Sequence, residues 1–422
     1  MIRANDPNLR SWVPIPEHSD FPIQNLPLGI IKRDETHHHV AMRIGDHVLD
    51  LAILNKSGLL GVDFVDAVFV SESINLCISL GKEMMRDLRN RVSRLLDNNH
   101  HDLRQDVDLR ESCLFHISKV EVCMPIKIGN YTDFYSSKEH AFNVGSMFRD
   151  PENALPPNWL HIPIGYHGRA SSIVLSGTPI HRPKGQSKAP TEELPSFGPS
   201  KQLDFELEMA FVTCKSNELG TTISISEAED YIFGMVLFND WSARDMQTWE
   251  YVPLGPFLAK NFCSTISPWV VTLEALEQFR VAGEEQIPVV LPYLQYSGNK
   301  NIDINLEVSI ATEKGAEKQI SLSNYKYLYW NMNQQLAHHT CNGCNIEVGD
   351  MYASGTISGN DETAYGSMLE LTWRGTKPIE MPDGSERKFI NDYDTVIMKG
   401  YAAKEGIRVG FGEVKAKVLP AI

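Results

Sequence analysis

The sequence predicts a mainly β protein of the α+β class, and three observations support this prediction. From about residue 124 onward, short apolar segments alternate with turn residues, and long helical stretches are few. The regular succession of strands and helices that builds a doubly wound sheet or an α/β barrel is absent. At 422 residues the chain is long for a single core, so we predict two domains, residues 1–123 and 124–422.

Composition and charge are those of an ordinary soluble protein. Apolar residues make up 42% of the chain and charged residues 22%. The balance of 39 Lys and Arg against 54 Asp and Glu gives a net charge of −15, which argues against nucleic-acid or anionic-membrane partners. Prolines interrupt the first 30 residues, and no apolar run suits a signal peptide or a membrane span. The seven scattered cysteines fit a reducing compartment, so we expect a cytoplasmic protein.

Residues 1–123 contain a predicted hairpin and a predicted helix. Residues 42–50 form strand-like halves around Gly45-Asp46, a pair that suits a tight turn. Apolar residues recur at helical spacing over 78–96, with basic residues on the opposite face. Because acidic residues are interleaved there, a solvated face is favoured over a membrane or acidic partner. We find no candidate catalytic residue in this part.

The segment 203–211 alternates strictly, with apolar residues at the odd positions and Asp204, Glu206 and Glu208 among the even ones. This pattern predicts a strand with one buried face, whose other face carries carboxylates about 6.6 Å apart. Like charges at that spacing repel each other unless a cation or a proton lies between them. A solvated edge strand and a Mg²⁺ or Ca²⁺ site are both consistent with the pattern.

The segment 130–140 places acidic and imidazole groups near a predicted helix start. Ser136 and Glu139 have the spacing of a capping box, which puts Asp133 in the preceding loop and His140 in the first turn. The positive end of the helix dipole favours a neutral imidazole, which suits a general base. A surface histidine with an ordinary hydrogen bond is the alternative.

Two further segments carry polar residues beside apolar strands. An apolar strand over 233–238 runs into a helix with Asp240 at the junction, and Arg244 and Gln247 share one face of that helix. A structural Asp–Arg pair is an equally good interpretation. Lys260 follows in a turn shaped by proline and glycine.

The segment 366–373 alternates in a way that predicts another strand, with Glu370 as its one carboxylate. A carboxylate among apolar residues is costly unless it is paired, and a histidine is a suitable partner. Such a pair would fix the imidazole tautomer and strengthen the imidazole as a base.

Several long motifs resemble the fumarylacetoacetate hydrolase family. They lie at residues 19–27, 130–149, 158–172, 204–210, 239–245 and 354–359. The resemblance covers nearly the whole chain, apart from about the first dozen residues and the loop 183–199. It implies a small SH3-like N-terminal β-barrel and a larger mixed β-roll, assembled as a homodimer. It also implies hydrolysis of the carbon–carbon bond of 4-fumarylacetoacetate, a small diketo dicarboxylate, to fumarate and acetoacetate, the last step of tyrosine and phenylalanine breakdown.

The resemblance also implies roles for individual residues, with Ca²⁺ and/or Mg²⁺ as cofactor. The metal ligands are expected to be Asp133, Glu206, Glu208 and Asp240, with Lys260 and Ser264 near a second ion. The catalytic residues are expected to be His140 as general base, Glu370 as its orienting carboxylate, and Arg244, Gln247 and Lys260 as charge-stabilising groups. The substrate contacts are expected to be Tyr135, Arg149, Tyr166, Gln247, Tyr251 and Thr356. Near the second ion, relatives usually have a glycine–threonine pair, whereas this chain has Cys263-Ser264.

Two alternatives to this function are kept. The first is a related hydrolase, hydratase or decarboxylase of another diketo acid, although such relatives often lack the N-terminal domain. The second is a non-catalytic β protein whose carboxylates hold a structural Ca²⁺, in which His140, Glu370 and Lys260 have no role.

Overall fold

The computed structural model describes residues 2–33, 37–61 and 64–422, which form mostly sheet with short helices. None of the helices in these ranges is both long and apolar enough to cross a membrane. The elements of the N-terminal part, residues 2–123, are β1 (Leu28–Lys32), β2 (His38–Ile44), β3 (His47–Asp50), α1 (Leu51–Lys56), α2 (Asn75–Ile78), α3 (Lys82–Leu96), α4 (Asp102–Gln105), α5 (Val107–Cys113), β4 (Leu114–His116) and β5 (Glu121–Cys123).

The C-terminal part, residues 124–422, contains the larger share of the strands. Its strands are β6 (Tyr131–Phe134), β7 (Gly165–His167), β8 (Ile173–Leu175), β9 (Ile180–His181), β10 (Lys184–Ser187), β11 (Ser196–Pro199), β12 (Leu203–Asp204), β13 (Leu207–Thr213), β14 (Ile232–Asp240), β15 (Ser242–Ala243), β16 (Ser264–Ile266), β17 (Val271–Thr272), β18 (Arg280–Val281), β19 (Asn301–Ile302), β20 (Asn305–Ala311), β21 (Glu317–Asn324), β22 (Met351–Ala353), β23 (Ile379–Glu380), β24 (Glu386–Arg387), β25 (Thr395–Lys404) and β26 (Ile407–Leu419). Its helices are α6 (Lys138–Phe148), α7 (Ala228–Tyr231), α8 (Arg244–Glu250), α9 (Leu273–Leu276), α10 (Met332–Thr340) and α11 (Met368–Leu371).

The N-terminal part is built on a small curled antiparallel sheet with the strand order β4-β3-β2-β1-β5. The predicted hairpin is confirmed, since Ile44 pairs with His47 and leaves Gly45-Asp46 as the turn. The predicted helix over 78–96 is broken, because Gly81 has a φ of +91° and separates α2 from α3.

Two mixed sheets are the main sheets of the C-terminal part, besides the two-stranded pairs β10-β11, β12-β15, β18-β19 and β23-β24. The larger has the order β7-β6-β22-β13-β14-β16-β8, with β17 also paired to β14, and the smaller has the order β21-β20-β25-β26-β9. Most neighbouring strands are antiparallel, but β22–β6, β16–β8 and β26–β9 are parallel. The predicted fold class, mainly β with a small N-terminal sheet and a larger roll, is confirmed.

The acidic segment differs from its prediction in two ways. It forms two strands, β12 and β13, which are separated by Phe205-Glu206, and all nine of its residues are buried. Met209 and Phe211 face the core between the two C-terminal sheets. Ala210 and Val212 pack in a core shared with the N-terminal part. Of the two alternatives kept for the acidic face, the solvated edge strand is therefore excluded, because Asp204, Glu206 and Glu208 are buried.

Two local predictions beside the site are wrong. Helix α6 is capped by Ser137, whose hydroxyl accepts the backbone N–H of His140 at 3.3 Å, so Ser136 and Glu139 do not form a capping box. The segment 366–373 contains the short helix α11 instead of a strand. Ser367 starts this helix by accepting the N–H of Glu370, a local hydrogen bond that overrides the alternating pattern.

Candidate active site

A cavity of about 590 Å³ lies in the C-terminal part, and the sequence-predicted residues converge on it. Those that line the cavity are Asp133, Tyr135, His140, Arg149, Tyr166, Glu206, Arg244, Gln247, Tyr251, Lys260 and Thr356. The remaining predicted residues, Glu208, Asp240, Ser264 and Glu370, are buried and bonded to or clustered with this lining.

Four buried carboxylates meet at the inner end of this cavity. Asp133, Glu206, Glu208 and Asp240 each offer one oxygen, and these four atoms lie within 4.8 Å of one another. Three strands of the larger sheet carry them. Asp133 lies in β6, Glu208 lies in β13 with Glu206 just before that strand, and Asp240 is the last residue of β14. Antiparallel pairing places Leu207 opposite Asn239, which brings the start of β13 beside the end of β14.

The carboxylate cluster has the properties of a site for a hard cation. Asp133 Oδ1 and Glu208 Oε1 are buried and accept no hydrogen bond from any residue that the structure describes. Burial, together with the neighbouring carboxylates, raises the pKa of Asp133 and of Glu208 well above the usual range. A divalent cation bound by these oxygens would satisfy both orphaned acceptors and remove the repulsion. Because the ligands must be ionised, cation binding would release protons and weaken as the pH falls.

The Lys260 ammonium neutralises two members of the carboxylate cluster. It donates to Asp240 Oδ2 at 2.7 Å and also to Glu206. Burial alone would lower the pKa of Lys260, but Asp240 and Glu206 outweigh it and raise that pKa above its usual value. The side chain is therefore a fixed cation beside the cluster. Asp240 also accepts from Ser264 Oγ at 2.9 Å and from the Tyr166 hydroxyl at 3.0 Å.

Arg244 forms the second buried cationic contact. Its Nε donates to Asp204 Oδ2 at 2.8 Å, and its Nη1 donates to Glu206 Oε1 at 2.7 Å and to Gln247 Oε1 at 3.1 Å. Although burial opposes ionisation of Glu206, Lys260 and Arg244 lower the pKa of Glu206 far below its usual range. Arg244 is thus paired with Asp204 and Glu206 of the acidic segment. The alternative interpretation, a structural pair between Asp240 and Arg244, is not observed in the described structure.

His140 is paired with Glu370, and the distance from Nδ1 to Oε2 is 2.7 Å. Both residues are buried. Burial raises the pKa of Glu370, but the His140 imidazole and several hydrogen bonds outweigh it and lower that pKa below its usual value. Because an ionised carboxylate only accepts, Nδ1 carries the proton of this hydrogen bond, and in the neutral imidazole Nε2 has the lone pair. The sequence predicted this partnership, although it placed Glu370 on a strand.

Several residues of the site were not predicted from the sequence. Glu370 also accepts hydrogen bonds from Asn143 Nδ2 at 2.9 Å, Ser358 Oγ at 3.0 Å and Ser367 Oγ at 2.8 Å. Asn143 lies three residues after His140 on α6, a spacing that points both side chains to one side and was visible in the sequence. The two serines have no comparable local signal.

Asp204 connects the Arg244 side of the site to the Glu370 side. Besides Arg244, it accepts the backbone N–H groups of Met368 at 2.7 Å and Leu369 at 3.0 Å, at the start of α11. The sequence placed Asp204 among the acidic residues but gave it no separate role. The structure makes it the acceptor that holds Arg244 and α11 in a fixed relation.

Replacing Asp204 with asparagine should lower the free energy of unfolding by about 1.5–3 kcal/mol, because it removes one of the two carboxylates that pair with the buried Arg244 guanidinium, while Glu206 remains. Urea denaturation measures the change. The matched control is Asp392→Asn, since Asp392 pairs with Arg182 at 2.6 Å but is 37% exposed, and its loss should cost under about 1 kcal/mol. Equal losses in the two variants would contradict the role given to Asp204.

The mainly β fold and the buried carboxylate cluster beside a His–Glu pair define a class of enzyme whose carboxylates could hold a metal ion. Two family models match the chain: "Fumarylacetoacetase N-terminal" over residues 24–125 and "Fumarylacetoacetate (FAA) hydrolase C-terminal" over residues 130–419. The chain is 51% identical to the fumarylacetoacetase of Dictyostelium discoideum over 98% of both chains. It is 52% identical to the fumarylacetoacetase of Caenorhabditis elegans, over 98% of this chain and 100% of the relative. The protein belongs to the fumarylacetoacetase family.

Solved structures share the fold at much lower sequence identity. A fumarylacetoacetate hydrolase from Exiguobacterium antarcticum has a TM-score of 0.51 at 17% identity, covering 94% of this chain and 99% of the other. A maleylpyruvate hydrolase from a Sphingobium species has a TM-score of 0.50 at 12% identity, covering 94% and 100%. These likenesses concern the fold alone.

Proposed function

We propose that this protein hydrolyses the carbon–carbon bond of fumarylacetoacetate, giving fumarate and acetoacetate as the last step of tyrosine and phenylalanine breakdown. The observation that carries the proposal is one cavity in which a buried carboxylate cluster, a His–Glu pair and the buried cationic side chains of Lys260 and Arg244 converge. The full-length likeness to curated fumarylacetoacetases at about 50% identity supports the same substrate.

Asp133, Glu206, Glu208 and Asp240 would hold the cofactor, for which we propose Ca²⁺ and/or Mg²⁺ because both prefer carboxylate oxygens. When bound, the cation supplies Lewis-acid polarisation of the diketone. Lys260 and Ser264 are proposed to lie near a second ion. The hydroxyl that Ser264 retains beside Asp240 supports this role, while Cys263 stands where the family resemblance implies a glycine.

His140 acts as the general base. With its Nδ1 proton held by Glu370, Nε2 takes a proton from a water molecule that attacks the carbonyl carbon of the fumaryl group. A carbon–oxygen bond forms at that carbon, and the bond from that carbon to the neighbouring CH₂ then breaks. The bonding electron pair leaves on the CH₂ carbon as the enolate of acetoacetate, which takes back one proton. Fumarate keeps the oxygen of the water.

The enolate is a poor leaving group in water, so the cavity must stabilise its charge as that charge develops. Lys260, Arg244 and Gln247 are held in place for this task by their buried hydrogen bonds. Donors that are already fixed need no reorganisation when the charge develops. Removing one such donor typically lowers kcat by a factor of about 10²–10³.

The substrate's polar ends are proposed to contact the remaining cavity residues. Arg149 supplies a cation, and Tyr135, Tyr166 and Tyr251 supply hydroxyl groups. Thr356 lines the cavity with a buried hydroxyl that has no hydrogen-bond partner in the described part of the chain, which supports a direct contact with substrate. The homodimer, the cytoplasmic location and the division at residues 123 and 124 are also proposed. The two family-model matches, at residues 24–125 and 130–419, support that division.

Ultraviolet absorbance of the diketone tests the proposal directly. Purified protein should remove the absorbance of fumarylacetoacetate, a chelator should stop the reaction, and added Mg²⁺ or Ca²⁺ should restore it. Fumarate and acetoacetate should appear in equal amounts. Turnover of another diketo acid but not of this one would favour the related hydrolase, hydratase or decarboxylase. No turnover of any diketone, with the cation retained, would favour a structural calcium protein.

A further inference from the structure

Four cationic side chains line the cavity, and they fall into two pairs. Arg244 and Lys260 are buried at the inner end and are each bonded to two carboxylates. Arg149 and Arg374 are exposed at the outer end, and within residues 2–33, 37–61 and 64–422 neither forms an ion pair with a carboxylate. Their charges are therefore available to a ligand. A role for Arg149 has been proposed above, but Arg374 has none.

Arg374 is held against the last turn of α6. Its Nη1 donates to the backbone carbonyl of Met147 at 2.9 Å, and its guanidinium carbon lies 4.4 Å from the ring centroid of Phe148. A guanidinium has five N–H donors, so the other donors remain for a bound anion. Stacking on an aromatic ring also fixes the plane of the guanidinium, which favours bidentate binding of a carboxylate.

The backbone conformation fixes the position of Arg374 at the cavity mouth. Trp373 and Arg374 have φ values of +46° and +60°, in the left-handed region that side chains rarely adopt. The turn is fixed by hydrogen bonds from the N–H of Trp373 to the carbonyl of Glu370 and from the N–H of Arg374 to the carbonyl of Leu369. Two consecutive strained residues, one position beyond the Glu370 helix and its C-cap Thr372, bring Arg374 to the cavity mouth.

One face of α6 runs from the proposed base to this mouth. His140, Val144 and Phe148 all line the cavity at intervals of four residues, and exposure rises from 3% at His140 to 47% at Phe148. Eight residues of helix cover about 12 Å. The extended four-carbon fumaryl arm of the proposed substrate, with a hydrogen bond to the protein at each end, covers most of that length. Val144 and Phe148 give this path the apolar surface that suits an alkene.

From this arrangement we infer that Arg374 binds the carboxylate at the fumaryl end of the substrate and so selects dicarboxylates over monocarboxylate diketones. The inference rests on the proposed function. The diketone must reach the carboxylate cluster at the inner end, so the longer fumaryl arm is the one that extends to the exposed mouth. Arg374 is a specificity residue in this assignment, and the chemistry at His140 does not depend on it.

The test compares two substrates in the full-length protein. Fumarylacetoacetate carries the distal carboxylate, whereas acetylacetoacetate has the same diketo acid with a methyl group in place of the whole carboxyvinyl arm. Arg374→Gln should lower kcat/KM for fumarylacetoacetate about tenfold, mainly through KM, because a charged hydrogen bond at a partly exposed site is lost. The same variant should leave kcat/KM for acetylacetoacetate within twofold, and Arg374→Lys should recover part of the loss.

Arg94→Gln is the matched control, since Arg94 is an exposed arginine on α3 of the N-terminal part and does not line the cavity. This substitution should leave kcat/KM unchanged for both substrates. An equal loss for both substrates in Arg374→Gln would show a structural role and overturn the inference, and so would no loss for either. A wild-type protein that cleaves neither diketone would overturn the proposed function and the inference together, a result distinct from the other two.

Discussion

Replacing His140 with alanine should reduce kcat for fumarylacetoacetate about 10³-fold while divalent-cation binding stays within about twofold of the wild type. The loss is of the size expected when a positioned general base is removed. Cation binding should persist because His140 does not belong to the carboxylate cluster and instead bonds to Glu370. Steady-state kinetics and calorimetric titration with Mg²⁺ or Ca²⁺ measure the two quantities.

His101→Ala is the control for this variant, since His101 is an exposed histidine of the N-terminal part. Its kcat should equal that of the wild type. If His140→Ala retained kcat within about tenfold of the wild type, the base would have to be sought elsewhere in the cavity. If the variant lost cation affinity instead, the histidine would be supporting the carboxylate cluster and its proposed role would be wrong.

Replacing Lys260 with methionine should have the second large effect, and it should act on stability as well as on rate. The ammonium neutralises Glu206 and Asp240, so its removal leaves the buried Asp240 carboxylate without its cation and Glu206 with Arg244 as its remaining cationic partner. We expect a loss of about 3–5 kcal/mol in the free energy of unfolding without divalent cation. We expect kcat to fall about 10²–10³-fold, because one fixed cation near the developing enolate is lost.

Added Mg²⁺ or Ca²⁺ should recover much of the lost stability in the Lys260 variant but little of its rate. A divalent cation can replace the charge that the carboxylates need, whereas it cannot replace the donor at the leaving group. Lys326→Met is the control, because Lys326 pairs with Asp303 at 3.2 Å in a partly exposed position and should contribute less than about 1 kcal/mol. Full recovery of kcat by the cation would contradict the catalytic role of Lys260.

The chemistry of the site was accessible from the sequence because it depends on residue types that are costly to bury singly. The carboxylates of the acidic segment needed a cation or a proton, and Glu370 needed a partner such as His140. The structure brings each of these groups to the partner or cluster that the chemistry required. The fold class was accessible for a similar reason, since short alternating apolar segments suit sheets.

The local geometry around these groups could not be predicted, because contacts distant in the chain override local pattern. Alternation predicted a strand at Glu370, but Ser367 caps a helix there and Asp204, 164 residues from Met368, accepts its backbone N–H. Alternation also left open a solvated acidic face, whereas Asp204, Glu206 and Glu208 are buried by contacts with distant residues such as Arg244 and Lys260.

The sequence by itself determined which groups this protein must bring together, since the free energy of an unpaired buried charge depends mainly on residue type and burial. Tertiary structure alone decided how they are arranged: which carboxylates Arg244 and Lys260 neutralise, that Asp204 joins the two sides of the site, and that Arg374 reaches the cavity mouth. The reason is that these contacts join residues far apart in the chain, whose approach depends on how the sheets pack and not on any periodicity within one segment.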